Sequence, residues 1–543
     1  MRKRVIGTVL LILAASGTGV SRPAAQRTAQ DGLPKIVWGH DAAKLAAAAT
    51  PFKAAGLPAS YDLRDQDKMT AVRNEGSLGG SHAFAALASL ESCLLPDETW
   101  NFSEKHLLSA LAGLNESSDV VGALARWADP IREADDPWPE SAKDDPAVKH
   151  VQDVIYILPR TSSLDNDRIK QAIMDYGAIW SFLYYTPDLF NAVQSTYYSP
   201  QAARSTNRSV AIAGWDDAFD KTRFSPQPPG NGAFLCKNSL GSDWGSGGYF
   251  YVSYYDADLA RDFSAAVTAE PSSGYTVQYA YDPNGCTGYM GYDTDTAWFA
   301  ALYTSTSTDP LAAVGFYASS EAGTFDISIY LDASPNEPQS GTLALQQAGS
   351  FSRAGFMTIP LTASIPLLLN QRFSVVVKLQ TDNVITPIPV EGPRGGAAGF
   401  TANPGECFVR RNGEERWDDV TKFSSPLMAQ TSVCLKAYAG YPAVYPPLNL
   451  KVARLTNNLF FFKEYYDKLT WQANSKNAEA PIKYRVYRKD LAVEGAEFET
   501  LGEVSVLRQF FFVRSVKKED AFLYRVTSVM ANGRESDPVE VQI

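Results

Sequence analysis

Val72-Arg73-Asn74-Glu75-Gly76-Ser77-Leu78-Gly79-Gly80-Ser81-His82-Ala83-Phe84 is the stretch whose reading decides the fold. Three glycines, at 76, 79 and 80, break regular structure, and an apolar run begins immediately after them. Phe84, Leu87, Leu90 and Leu94 recur at the spacing of one helix face, so the pattern predicts a helix from Ser81 whose N-terminus is delivered by a glycine turn. A second helix is predicted over Glu104–Leu111, with Ser103 as its N-cap. Near residue 230 the character changes to Gly-rich turns and aromatic strands, as in Gly247-Gly248-Tyr249-Phe250-Tyr251-Val252.

Around this stretch lie three more blocks. Leu57-Pro58-Ala59-Ser60-Tyr61-Asp62-Leu63-Arg64 and the glycine turn resemble the start of a mature papain-family protease, which reads Gln-Gly-x-Cys-Gly-Ser-Cys-Trp-Ala-Phe at the turn. Phe102-Ser103-Glu104-Lys105-His106-Leu107 is similar to the family's Leu-Ser-Glu-Gln. Asn207-Arg208-Ser209-Val210 resembles Asn-His-Ala-Val. Lys237-Asn238-Ser239-Leu240-Gly241, Trp244-Gly245 and Gly248-Tyr249-Phe250 resemble the Lys-Asn-Ser-Trp-Gly block. These motifs stand in the family's order, and the resemblance implies an α+β papain-like domain over residues 57–272.

The resemblance also implies where the chemistry belongs, and there the sequence departs from the family. Such a site needs a thiolate at a helix N-terminus, an imidazolium beside it, an Asn that orients the ring, and a Gln side chain that binds the oxyanion. The nucleophile position is Ser81 and the base position is Arg208. A guanidinium takes no proton at neutral pH. The oxyanion position is Glu75, whose carboxylate repels the charge it should receive. Asn238 is retained. A serine mechanism rebuilt on Ser81 would need a new base; His82 follows Ser81 directly and so points about 100° away on a helix. The other duty open to Ser81 is a helix N-cap. Glu75 and Arg208 are read either as solvated residues or as an ion pair across the former cleft, with pairing expected where the cleft encloses them.

Residues 275–440 alternate apolar and polar in period two, at Phe325-x-Ile327-x-Ile329-x-Leu331 and Phe373-x-Val375-x-Val377-x-Leu379, which predicts a β-sandwich. With Tyr281-Asp282-Pro283, Asp295-Thr296-Ala297-Trp298-Phe299 and Ser340-Gly341-Thr342-Leu343, the region resembles the lectin-like domain that follows papain-like domains in secreted bacterial proteins. Trp298 reads as a core residue. Residues 443–543, entered through the Pro-rich Tyr441–Pro447, resemble a fibronectin type III module, with Trp471 as its buried tryptophan, Tyr524 near its penultimate strand and Asn532-Gly533 as a hairpin turn. The fold class expected is therefore an α+β papain-like domain followed by two all-β sandwich domains.

At the front, Arg2, Lys3 and Arg4 precede an apolar stretch, Val5–Ala15, too short to span a bilayer. Residues 1–25 read as a secretory signal and residues 26–56 as a linker or short pro-segment. With no transmembrane helix read further on, the mature protein is expected outside the cytoplasm, secreted, at the cell surface or in the periplasm. A formal net charge of -11 over 543 residues argues against nucleic acid as a partner. The four histidines and five cysteines fall at no metal-ligand spacing, so no metal or other cofactor is expected. Cys286 and Cys407 replace non-cysteine residues of the family pattern in turn-like contexts, and in an oxidising compartment they are expected to form a disulfide. Cys93, Cys236 and Cys434 are expected as buried thiols.

Together these readings describe a secreted papain-like pseudoprotease. The partners implied are a peptide or protein in the former cleft and a carbohydrate at the lectin-like domain. The alternatives are a peptidase rewired around Ser81 and a purely structural surface protein with a closed cleft.

Overall fold

The computed structural model describes residues 34–38, 52–111, 117–139, 146–203, 205–261, 264–393, 402–458, 463–477, 480–493 and 495–543. The signal read over residues 1–25 lies outside them, as does most of the segment 26–56.

The helix Ser81–Leu94 forms where the apolar spacing places it and ends ahead of Pro96, which cannot continue it. Ala83, Ala86, Leu87 and Leu90 are fully buried. The helix packs against antiparallel strands, chiefly Arg208–Asp216 and Ser264–Pro271. Arg208–Asp216 pairs with Ile179–Leu183 on one side and with Ala233–Lys237 on the other. Arg208 thereby begins one strand and Asn238 directly follows the end of its neighbour.

The sheet does not stop at the end of this domain. Lys149–Tyr156 pairs with Ser264–Pro271 on one edge and with Ala354–Ile365 on the other, at Ala354↔Tyr156, Gly355↔Ile155 and Phe356↔Val154. One 13-stranded sheet therefore runs through the papain-like region and into the next domain. Arg126 donates to the Pro283 carbonyl and Gln278 to that of Ala125 at 2.8 Å, so side chains as well as backbone cross the junction.

Within the second domain a six-stranded sheet, in the order 342–351, 323–331, 372–381, 296–304, 407–411 and 418–419, lies against that shared sheet. Phe299, Phe316, Ile327, Ile329, Val375 and Val377, all at 0% exposure, form the layer between them. The alternation read in the sequence thus divides inward from outward residues. A separate four-stranded sheet runs 35–38, 288–291, 388–391, 432–433. Its outermost strand, 35–38, comes from the segment read as a linker or short pro-segment.

The C-terminal region folds as a three-stranded sheet facing a four-stranded one. Leu469, Trp471, Tyr484, Val486, Tyr524 and Val526 fill its core, and the Tyr524 hydroxyl donates to Asp467 at 2.6 Å. At Asn532-Gly533 the chain turns, with Gly533 at φ 84° and its N–H on the Met530 carbonyl.

The expected disulfide is absent, because Cys286 and Cys407 belong to different places. Cys407 begins a strand of the six-stranded sheet opposite Ala301. Cys286 precedes the strand Gly288–Gly291 of the other sheet, and its thiol donates to the Gly288 carbonyl at 3.3 Å. All five cysteines are free thiols. Cys93 is half-buried, not fully buried as expected. Burial pushes the Cys407 thiol up to about 12. Among the described residues no helix is long and apolar enough to cross a membrane.

Candidate functional site

The glycine turn brings Glu75 beside the helix start by pairing with the Lys237–Gly241 segment. The Glu75 N–H donates to the Ser239 carbonyl at 2.8 Å and the Gly241 N–H to the Arg73 carbonyl at 3.0 Å. Gly80, at φ 102°, is the N-cap of the helix, and a Cβ on it would lie 2.6 Å from Leu108 Cδ1. The left-handed backbone favours glycine here, and any side chain would also require Leu108 to shift. Ser81 is therefore the first helical residue and not the cap expected from sequence. Its Oγ instead accepts the Ser209 N–H at 3.1 Å.

Glu75 and Arg208 meet. Arg208 Nη1 donates to Glu75 Oε1 at 2.5 Å, and Ser239 Oγ donates to Glu75 Oε2 at 2.8 Å. The Glu75 side chain is 5% exposed and that of Arg208 17%. A carboxylate so enclosed would be costly unpaired, and here both oxygens have donors. Of the two readings open at these positions, the ion pair is the one the fold makes.

The remaining polar groups of this region lie in separate contacts. Asn238 Oδ1 accepts the N–H of its neighbour Ser239 at 2.9 Å, and its Nδ2 is buried without a partner. His82 is half-buried, its Nε2 has no partner, and burial lowers its basicity. His106 is paired with Asp129 at 2.7 Å, where burial pushes the Asp129 carboxyl up to about 7. Among the described contacts no imidazole and no carboxylate accepts the Ser81 hydroxyl proton.

Beneath this wall lies a buried polar network that the sequence reading passed over. Arg73 donates to Glu91 at 2.6 Å, to Glu104 and to the Phe102 carbonyl, while Lys237 Nζ reaches Thr70 Oγ1 at 3.1 Å. Thr70 in turn donates to Glu91 at 2.5 Å. Burial pushes Glu104 up to about 7 and Lys237 down to about 8. Beside the network is a small pocket of about 20 Å³ lined by Arg73, Glu91, Glu104, Lys237, Asn238 and Ser239. That is room for one water, and the partnerless Asn238 Nδ2 and Glu104 Oε2 are donor and acceptor for it. The signal available in the sequence was a lone acid, Glu91, within an otherwise apolar helix. Ser209 and Ser239, whose groups hold Ser81 and Glu75, stood inside quoted motifs and were missed because their role is purely local.

Residues 57–267 match the family described as papain family cysteine protease, and residues 278–439 match the lectin like domain. Cathepsin J of Mus musculus is 25% identical over 215 residues, covering 36% of this chain and 61% of that protein. The viral cathepsin of Cydia pomonella granulosis virus is 26% identical over 208 residues, covering 36% and 57%. This chain thus spans about three fifths of the length of the curated relatives it matches. The structure of the cysteine protease and lectin-like domains of Cwp84, a surface layer associated protein of Clostridium difficile, is 24% identical with a TM-score of 0.61, covering 72% of this chain and 90% of that one. The clostridial cysteine protease Cwp84 after propeptide cleavage gives 24% and 0.60, covering 70% and 99%. The likeness to these structures is one of fold.

Proposed function

We propose that this chain, which carries a papain family cysteine protease domain followed by a lectin-like domain, is an exported pseudoprotease that binds and does not cleave. The observation that carries the reading is the enclosed Arg208–Glu75 pair. It occupies the base and oxyanion positions at once, and Ser81 beside it has no base. A peptide carbonyl aimed at this wall would meet a carboxylate already bound on both oxygens. Desolvating and splitting the pair to admit a substrate costs several kcal/mol, roughly. A ligand in the cleft is accordingly not part of the proposal.

Binding is assigned instead to the lectin-like domain. Asn336, Glu337, Gln339, Glu415, Arg416 and Trp417 line an open recess of about 440 Å³. Arg410 lies between the rings of Trp298 and Trp417, at 4.1 and 4.7 Å, and Gln339 Oε1 accepts from both Arg410 and the Trp417 indole. A fixed aromatic ring beside amide and carboxylate groups suits a sugar, which has an apolar C–H face and a hydroxyl edge. Export is supported by the charged and apolar N-terminal sequence and by the surface association of the Cwp84 relative.

A broad peptide-library cleavage assay tests the central claim. The expected result is no turnover above a Ser81→Ala control. Steady cleavage by the native chain that vanishes in Ser81→Ala would favour the rewired serine mechanism and end this reading.

A further inference from the structure

The first described strand belongs to the second domain. Lys35–Trp38 pairs antiparallel with Gly288–Gly291, in the register Lys35↔Gly291, Ile36↔Met290, Val37↔Tyr289 and Trp38↔Gly288. It is the outermost strand of its four-stranded sheet. The protease-like domain lies later in sequence, and the next described residues sit on that domain, where Ala54 N–H donates to Asp167 and Arg168 lies over the Phe52 ring at 5.2 Å. Thirteen residues, 39–51, separate the two attachments in sequence.

Specific features of the acceptor fit this segment. Pro34 is buried, and Ile36 and Trp38 pack on the domain's main core. A Cβ at Gly392 would lie 2.1 Å from the Trp38 ring, and one at Gly288, directly opposite Trp38, would lie 2.9 Å from it. The indole therefore sits in a notch made by two missing side chains. Lys35 Nζ reaches Asp293 at 2.6 Å at the other end, an exposed ion pair. The interaction combines backbone pairing, which is indifferent to sequence, with pockets for alternate side chains, which are not. That is how a sheet edge captures an extended peptide.

We propose that the edge Gly288–Gly291 is a peptide-acceptor site with a tryptophan slot, and that the segment Pro34–Trp38 is its present, separable occupant. The contacts described are all made by residues 34–38. A cut there leaves the segment bound, and a vacated edge takes up an extended peptide bearing Ile-x-Trp. This goes beyond the proposed pseudoprotease function and does not depend on it.

The test uses the full chain with a site-specific protease recognition sequence inserted among residues 39–51 and cut after folding. At micromolar concentration the N-terminal piece is expected to co-elute with the body in size-exclusion chromatography, and to be lost when the same experiment is run with Trp38→Ala. A labelled synthetic peptide spanning residues 32–40 should then bind the stripped body saturably. Its Trp38→Ala version should bind about 10-fold more weakly or worse, as expected for losing a partly buried indole. Release of the native piece on cutting, while the body keeps its circular dichroism and melting temperature, would overturn the proposal. So would equal binding of the native and Trp38→Ala peptides.

Discussion

Two concavities of this molecule have been treated in opposite ways. At the wall where the papain resemblance places its chemistry, an ion pair spans the gap. Glu75 and Arg208 neutralise each other, Ser239 takes the second carboxylate oxygen, and the cavity beneath admits about one water. On the lectin-like face, the recess around Trp417 stays open at about 440 Å³, with Glu337 and Glu415 at its rim. The contrast teaches that a wall built from an acid and a guanidinium need not be an open charged groove. An acid and a guanidinium, each costly alone in such an enclosure, become tolerable together, and the cost of separating them is shared.

The largest effect expected is on rate. Ser81→Cys with Arg208→His restores a thiol and an imidazole, but Glu75 remains at the oxyanion wall. Adding Glu75→Gln should raise cleavage of an unstructured peptide by about 100-fold or more, the value of one oxyanion donor. Equal rates for the double and triple variants would show that Glu75 does not define the closed site.

Next in size is stability. Arg208→Ala leaves Glu75 enclosed with only the Ser239 hydroxyl, which should cost about 3 kcal/mol in urea unfolding. Arg208→Met combined with Glu75→Leu should recover most of it, since apolar replacement of an enclosed pair is often close to neutral. A single variant as stable as the native chain would mean that the pair is solvated and the cleft open.

For the open recess, Trp417→Ala should weaken glycan binding about 10-fold without shifting the melting temperature by more than a few degrees. A glycan array on which the two proteins give the same pattern would remove the recess from the proposal.

The smallest effect concerns whether the two regions are independent. Glu391 lies at the junction, 1% exposed, taking Asn284 N–H and Nδ2–H at 3.2 and 2.6 Å. Burial, followed by the nearby Asp282, raises its carboxyl to about 8. With the folded pKa above the unfolded one, its contribution is fully present below the ordinary carboxylate range and is lost as pH rises toward 8. Glu391→Gln should therefore flatten the fall in stability between pH 5 and 8, with recess and cleft assays unchanged. An unchanged pH slope would mean that Glu391 titrates normally.

Much of this was legible in the chain because the deciding signals are local. The glycine turn, the Leu87/Leu90 helix face and the period-two strands each report their own structure. The Glu75–Arg208 pairing was legible too, because two departures from one pattern fell on opposite sides of one position. What escaped is what only distance creates. No periodicity announces that Gly355 pairs with Ile155, two hundred residues away. Nor does Lys35–Trp38, four residues near an alanine-rich stretch, announce its partner strand. The Cys286–Cys407 pairing failed for the same reason, since similar turn contexts say nothing about which sheet each thiol enters. Ser81 was misjudged by one residue, as the cap position fell to a glycine whose backbone no serine would adopt comfortably.

The sheet that passes from the first domain into the second bears on how such a chain can be taken apart or recombined. A protease cassette ending near residue 267 would keep Lys149–Tyr156 but lose its neighbour Ala354–Ile365, leaving backbone groups of a strand buried on both faces open to whatever they next meet. The lectin-like half would be left with the matching wound. The smallest piece of this protein that can be inherited, transplanted or produced in isolation without a sticky edge is therefore the two domains together, and a gene boundary drawn between them would select for aggregation before it could select for a new function.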